Sequence, residues 1–245
     1  MRVFLTSSPC DDNVPEGVEL PCIFFEKNSF VANLWDRVPP QARLTVVAAD
    51  PDAFDMNDEM AETFAACFEY HDMPLSDVQL LDSRTAAYAE ELVRGSDILL
   101  LGGGHVPTEN AFFERIGLRE LLEDYEGVVI GISAGSMNCA ETVYAQPEMP
   151  GESIDPDYER FIPGLGIADI NVLPHYQKAR HYLLDGRRLY EDITFEDSIG
   201  HEFFAIPDSS YILIEDGCAV LFGEGYRIAG GEIEQICEDE GFIEL

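Results

Sequence analysis

The run Val128-Val129-Ile130-Gly131-Ile132-Ser133-Ala134-Gly135-Ser136-Met137-Asn138 holds the densest chemical signal in the chain. An apolar strand leads into Gly-x-Ser-x-Gly, and a helix-compatible start follows. Glycines on both sides of a serine let the backbone turn sharply from strand to helix, so the hydroxyl projects from the turn as a nucleophile would. The helix start after it offers free backbone N–H groups, Ala134 among them, to a developing oxyanion. A second turn, Leu101-Gly102-Gly103-Gly104-His105, follows another apolar run and can supply a further oxyanion donor from Gly103 or Gly104. No Lys-Ser/Thr follows it, which disfavours a phosphate loop.

A serine hydroxyl needs a base, and the five histidines are His71, His105, His175, His181 and His201. His175, in Leu173-Pro174-His175-Tyr176, directly follows an apolar run and so sits at a strand end; His105 is next in line. His71 and His201 lie in charged, loop-like surroundings. The imidazole in turn needs an orienting group. Glu141, Glu148, Glu152, Asp155 and Asp157 all lie between Ser133 and His175, and spacing does not choose among them. Arg180, Arg187 and Arg188 could supply a cation for a substrate carboxylate, although solvated arginines are the plainer reading.

These residues need a scaffold that brings strand ends together. Short β-branched runs alternate with amphipathic stretches, the pattern of βαβ units around a mostly parallel sheet. Strands are expected at Val3–Thr6, Leu44–Ala48, Val78–Leu81, Ile98–Leu101 and Val128–Ile132, with helices around Phe30–Asp36, Asn57–Tyr70, Ala86–Val93 and Asn110–Leu122. Gln146–Gly166, with four prolines, reads as a long ordered loop. An apolar run at Ile167–Leu173 and a polar helical stretch at Lys178–Tyr190 follow. Closely spaced runs at Phe203–Ile206, Tyr211–Glu215, Ala219–Phe222 and Ile233–Ile236 predict an antiparallel hairpin region at the end of the sheet. One domain, 1–245, is expected.

The combination of Leu101-Gly102-Gly103-Gly104, Gly131-Ile132-Ser133-Ala134-Gly135, Pro147-Glu148-Met149-Pro150 and Leu173-Pro174-His175-Tyr176 resembles the peptidase E and cyanophycinase family of serine peptidases. Ala205-Ile206-Pro207-Asp208-Ser209-Ser210 resembles that family's Pro-acidic turn. The resemblance implies a three-layer, flavodoxin-like α/β sandwich similar to class I glutamine amidotransferases. It also implies Ser133 as nucleophile, His175 as base and Glu148 as acid, with Glu152 the alternative if the Pro-rich loop shifts the alignment. Gly103, Gly104 and Ala134 would form the oxyanion hole, and dipeptidase E-like hydrolysis of short peptides, aspartyl-Xaa among them, would follow. His105 replaces the asparagine that follows the three glycines in dipeptidase E and becomes a candidate substrate-binding residue; Arg180, as a cation for a substrate carboxylate, is the other. An α/β-hydrolase-type esterase shares the elbow, but it would place its histidine nearer the end of the chain. A glutamine amidotransferase needs a cysteine at position 133. A silent relative that binds a small molecule or partner has no need of all three groups.

Composition bounds the remaining readings. The 245 residues are 46% hydrophobic and 25% charged, enough for a sizeable core. Against 48 Asp and Glu stand 14 cations, only Lys27 and Lys178 being lysines, for a formal charge of −34. Such a charge repels nucleic acid and anionic membranes, and suits either a lineage bias or a salty cytoplasm. The N-terminus lacks the apolar run of a signal peptide, so a cytoplasmic location is expected. Six scattered cysteines show no Cys-x-x-Cys pair and no histidine in ligand register, so no metal and no cofactor are expected. The expected partner is a short peptide substrate, handled by a monomer or homodimer.

Overall fold

The computed structural model describes residues 1–245. In chain order the first strands are β1 (Arg2–Thr6), β2 (Cys10–Asp11), β3 (Ile23–Phe24), β4 (Arg43–Val47), β5 (Asp77–Leu81), β6 (Ile98–Leu101), β7 (Val128–Ile132), β8 (Thr142–Tyr144) and β9 (Phe161–Pro163). Then come β10 (Val172–Leu173), β11 (Leu183–Leu184), β12 (Arg187–Arg188), β13 (Glu202–Ala205), β14 (Tyr211–Glu215), β15 (Cys218–Phe222), β16 (Gly225–Ala229), β17 (Glu232–Cys237) and β18 (Phe242–Glu244). The helices are α1 (Phe30–Trp35), α2 (Phe54–Tyr70), α3 (Ala89–Arg94), α4 (Val106–Arg115), α5 (Leu118–Leu122), α6 (Ala134–Met137), α7 (Tyr176–Ala179) and α8 (Phe195–Asp197).

Eight strands form the main sheet in the order β18-β15-β14-β1-β7-β6-β4-β5. From β1 to β5 across this order every pairing is parallel, whereas β14, β15 and β18 add antiparallel ribbons at the far side. Strand alternation decides which helices cover which face. Val3, Leu5, Leu99, Leu101 and Val129 point to one side and pack with α3, α4 and α5 through Val93, Phe112, Phe113, Leu118 and Leu122. Phe4, Leu44, Val46, Leu100 and Ile130 point to the other and pack with α1 and α2 through Phe30, Leu34, Phe64 and Phe68. The result is the expected three-layer sandwich with a mostly parallel central sheet.

A second, four-stranded sheet runs β10-β13-β16-β17, with β10 parallel to β13 and the other pairings antiparallel. The closing antiparallel runs are therefore shared between two sheets rather than ending one. The expected helix over Lys178–Tyr190 stops at Ala179: Asp185 and Gly186 adopt positive φ of 52° and 81° and turn β11 back onto β12. The stretch expected as one helix around Asn110–Leu122 is two, because Gly117 at φ 65° ends α4 before α5 begins. Of the run Ile167–Leu173, only Val172–Leu173 pairs as a strand. Gln146–Gly166 is loop as expected, apart from β9, which pairs with β8.

Candidate active site

The carboxyl ends of β1, β7 and β6 lie side by side, with Thr6 opposite Ile132 and Leu101 opposite Gly131. Open α/β sheets present ligands at this edge. Ser133 follows β7 with φ 51° and ψ −112°, a conformation that costs a non-glycine residue about 1–3 kcal/mol. Neighbours on both sides hold it there. Ser133 N–H donates to the Thr6 carbonyl at 3.0 Å, Ser136 Oγ donates to the same carbonyl at 2.8 Å, and Gly135 N–H donates to the Gly102 carbonyl at 3.0 Å. The flanking glycines are needed for space as well as for turning. A Cβ on Gly135 would sit 2.5 Å from the Leu101 carbonyl oxygen, and one on Gly131 would sit 2.7 Å from the Ser136 Cα.

The second sheet delivers the partners. Because β10 and β13 are parallel and Leu173 pairs with Ala205, the segments Pro174-His175 and Ile206-Pro207-Asp208 emerge together. His175 Nε2 lies 3.0 Å from Ser133 Oγ, and its Nδ1 lies 2.6 Å from Asp208 Oδ1. Ser7, fully buried at the end of β1, donates its hydroxyl to Asp208 Oδ1 at 2.8 Å and accepts the His175 backbone N–H at 2.7 Å. Gln177 Nε2 and Lys178 Nζ both bond Asp208 Oδ2, the lysine at 3.0 Å. Burial raises the Asp208 carboxyl, but the bonds from His175, Ser7 and Lys178 outweigh it and hold the group well below the usual carboxylate range.

The acid expected at Glu148 is thus not the group on the imidazole; Asp208 occupies that position. Glu148 lies in the loop between β8 and β9, whereas β13, parallel to and beside β10, ends level with His175 and carries Asp208 there. Glu148 instead lines the cleft, its carboxyl raised by burial and by nearby Glu152 against the pull of His105. Glu152, the alternative acid, is also engaged elsewhere. Its Oε2 accepts the backbone N–H groups of Glu148 and Met149, each at 2.9 Å, and its Oε1 lies 2.8 Å from His105 Nε2. Two Pro-terminated runs, Leu173-Pro174-His175 and Ile206-Pro207-Asp208, were the available sign that two strand ends were to be compared. Ser7 carried no sign at all.

Around the line lies a cleft of about 600 Å³ whose walls include Ser8, Gly103, Gly104, Ala134, Gln146, Glu148, Lys178 and Tyr182. The backbone N–H groups of Gly103, Gly104 and Ala134 donate to no protein acceptor. His105 and Arg180 do not line the cleft. His105 ties Glu152 to Thr108, and Arg180 lies over the Tyr176 ring at 5.6 Å. A wider groove of about 710 Å³ lies at the opposite edge, beside Arg2, Gly127 and Val128 where strands begin, and no serine–histidine pair lines it.

Fold and geometry together define an α/β protein with a serine nucleophile elbow. The family model for peptidase family S51 matches residues 42–227, and the chain belongs to that family of serine peptidases. Among solved structures it is similar to a peptidase from an acI-B1 actinobacterium, with 14% identity and a TM-score of 0.65 over 100% of this chain and 96% of that one. It is also similar to a provisionally assigned peptidase E protein from Listeria monocytogenes EGD-e, with 16% identity and a TM-score of 0.56 over 96% and 97%. Both likenesses show the fold. No curated protein sequence matches the chain. No helix is long and apolar enough to cross a membrane.

Proposed function

We propose that the protein hydrolyses short peptides through an acyl-enzyme on Ser133. The observation that carries this reading is the unbroken line Ser133 Oγ, His175 Nε2, His175 Nδ1, Asp208 Oδ1, at 3.0 and 2.6 Å. His175 takes the serine proton as Oγ attacks the scissile carbonyl, and returns it to the leaving amine. Asp208 stays ionised, fixes the imidazole tautomer and balances the imidazolium. The backbone N–H groups of Ala134 and of Gly103 or Gly104 stabilise the tetrahedral oxyanion. Water activated by the same histidine then releases the acid.

A restriction to short peptides has support in the wall of the cleft. The loop bearing Glu148 is tied down on both sides, by Glu152 to His105 and by the bonds of Gly151 N–H (2.9 Å) and Ser153 Oγ (2.6 Å) to the Asp185 carboxylate. A wall held in place in this way favours short substrates over ones that would need it to move aside. Glu148, in that wall, bears on substrate affinity rather than on the imidazole. The test is a panel of dipeptides, Asp-Xaa included, alongside tripeptides, longer peptides and simple esters. Dipeptides are expected to turn over, and Ser133→Ala to lose at least about 10⁴-fold. Turnover of esters without any peptide would favour an esterase, and turnover of neither would refute hydrolysis.

A further inference from the structure

Three thiols from distant parts of the chain meet on the α1/α2 side of the sheet. Cys10 lies on β2, Cys22 immediately precedes β3, and Cys67 lies on α2; their sulfur atoms are all within 4.8 Å of one another. All are free thiols. The Cys22 and Cys67 sulfurs are 3.9 Å apart, far beyond a disulfide bond of about 2.05 Å. That separation has a direct meaning in coordination chemistry. With metal–sulfur bonds of about 2.3 Å, two thiolates on one ion are separated by about 3.8 Å at the tetrahedral angle and about 4.0 Å at the trigonal one.

The supporting elements fix this arrangement. β2 and β3 pair in register, Cys10 opposite Phe24 and Asp11 opposite Ile23, and Phe24 packs edge-on against Phe68 of α2 at 5.0 Å. Cys10 is partly exposed, which gives an ion a path to the two buried sulfurs. The group contains sulfur ligands alone, with no carboxylate or imidazole. Thiolates favour soft cations over Mg²⁺ or Ca²⁺. The other three cysteines do not join the cluster; Cys139, for instance, is buried and bonds the Gly135 carbonyl.

We propose that Cys10, Cys22 and Cys67 form a three-thiolate site for a thiophilic d¹⁰ cation, Zn²⁺ or Cu⁺. Binding exchanges the thiol protons for metal–sulfur bonds, with no change of oxidation state. Cu⁺ is satisfied by the three sulfurs, whereas Zn²⁺ completes a tetrahedron with water. The ion ties the β2–β3 hairpin to α2, and that hairpin begins three residues after Ser7. The site does not depend on the catalytic reading above. Spacing in the sequence conceals it, since 11 residues separate the first two thiols and 44 the second and third.

The test uses the reduced full-length protein carrying Cys218→Ser, which removes the one exposed thiol. Zn²⁺ is titrated against a chromophoric chelator, Cu⁺ against a Cu⁺-selective chelator, and Co²⁺ serves as an optical probe. Expected are one equivalent of Zn²⁺ or Cu⁺, a cobalt–thiolate charge-transfer band saturating at 1:1, and a raised unfolding temperature. Cys10→Ser, Cys22→Ser and Cys67→Ser should each weaken binding at least about 10-fold, and Cys139→Ser should not. Should the buried variants misfold, alkylation of the unsubstituted protein followed by mass spectrometry gives a second reading: bound metal should protect these three thiols and leave Cys218 reactive. Absence of stoichiometric binding of either ion, binding unchanged in the serine variants, or no selective protection would overturn the proposal.

Discussion

Ser7 illustrates how much of the site rests on a residue without chemistry of its own. Its buried hydroxyl bridges the Asp208 carboxylate and the His175 backbone, so it holds the base and its carboxylate in a single geometry. Ser7→Ala should lower kcat about 10- to 100-fold with little change in KM, and lower stability by about 1–2 kcal/mol for the unpaired groups left behind. Steady-state kinetics and urea unfolding read the two separately. Asp208 also links to pH. Its folded-state affinity for protons is depressed, so its contribution to stability is present above the ordinary carboxylate range and lost as pH falls through the folded value. Among these residues Ser133 and His175 were legible because each closes an apolar run with a distinctive motif. Asp208 was not, because its place beside His175 depends on β13 pairing with β10, a contact between residues 32 positions apart. Chain order favoured acids between the serine and the histidine, whereas strand adjacency selected one after both.

At the scale of elements, the strand–turn–helix units from β4 to β7 were readable from alternating and helical hydrophobic spacing to within a residue or a few. What escaped were the strands β2, β3, β8, β11, β12, β16 and β18, breaks set by single residues, Gly117 within the α4–α5 stretch and the Asp185-Gly186 turn, and the division of the last strands between two sheets. α4 also carries a buried acid beneath the elbow helix. Glu109 is fully buried, its Oε2 accepts only from Asn138 Nδ2 at 3.0 Å, and its Oε1 is unpartnered. Burial raises this carboxyl well above the usual range. The folded state therefore holds a proton that the unfolded chain releases, and stability declines as pH rises from the normal carboxylate range up to the folded value. Glu109→Gln should remove that decline and stabilise the protein at alkaline pH by about 1–3 kcal/mol, as read by thermal unfolding across pH.

For the whole molecule, the −34 charge is a property of the surface, since Arg and Lys can partner only a minority of 48 carboxylates. Most ion pairs present are exposed, such as Arg94–Glu90 and Arg188–Asp192, and each is worth little. Self-repulsion among the remaining carboxylates opposes compaction, and it is screened as the Debye length contracts from about 10 Å at 0.1 M salt to about 3 Å at 1 M. Calorimetry should show Tm rising over that range. A Tm that is flat or falls would mean that ion pairs dominate the surface. A field of this sign also repels free anions, so recognition of an aspartyl side chain would have to be local, with Lys178 the cation in the cleft wall.

In the proposed mechanism Asp208, and not Glu148, supports the imidazole that activates Ser133. The second-order rate of fluorophosphonate labelling, read as a mass adduct at Ser133, tests it without knowledge of the physiological substrate. Wild type should label at Ser133 alone, Asp208→Asn should label about 10³- to 10⁴-fold more slowly, and Glu148→Gln should stay within about 10-fold of wild type. Asp208→Asn labelling as fast as wild type, or Glu148→Gln proving the slow variant, would contradict the account.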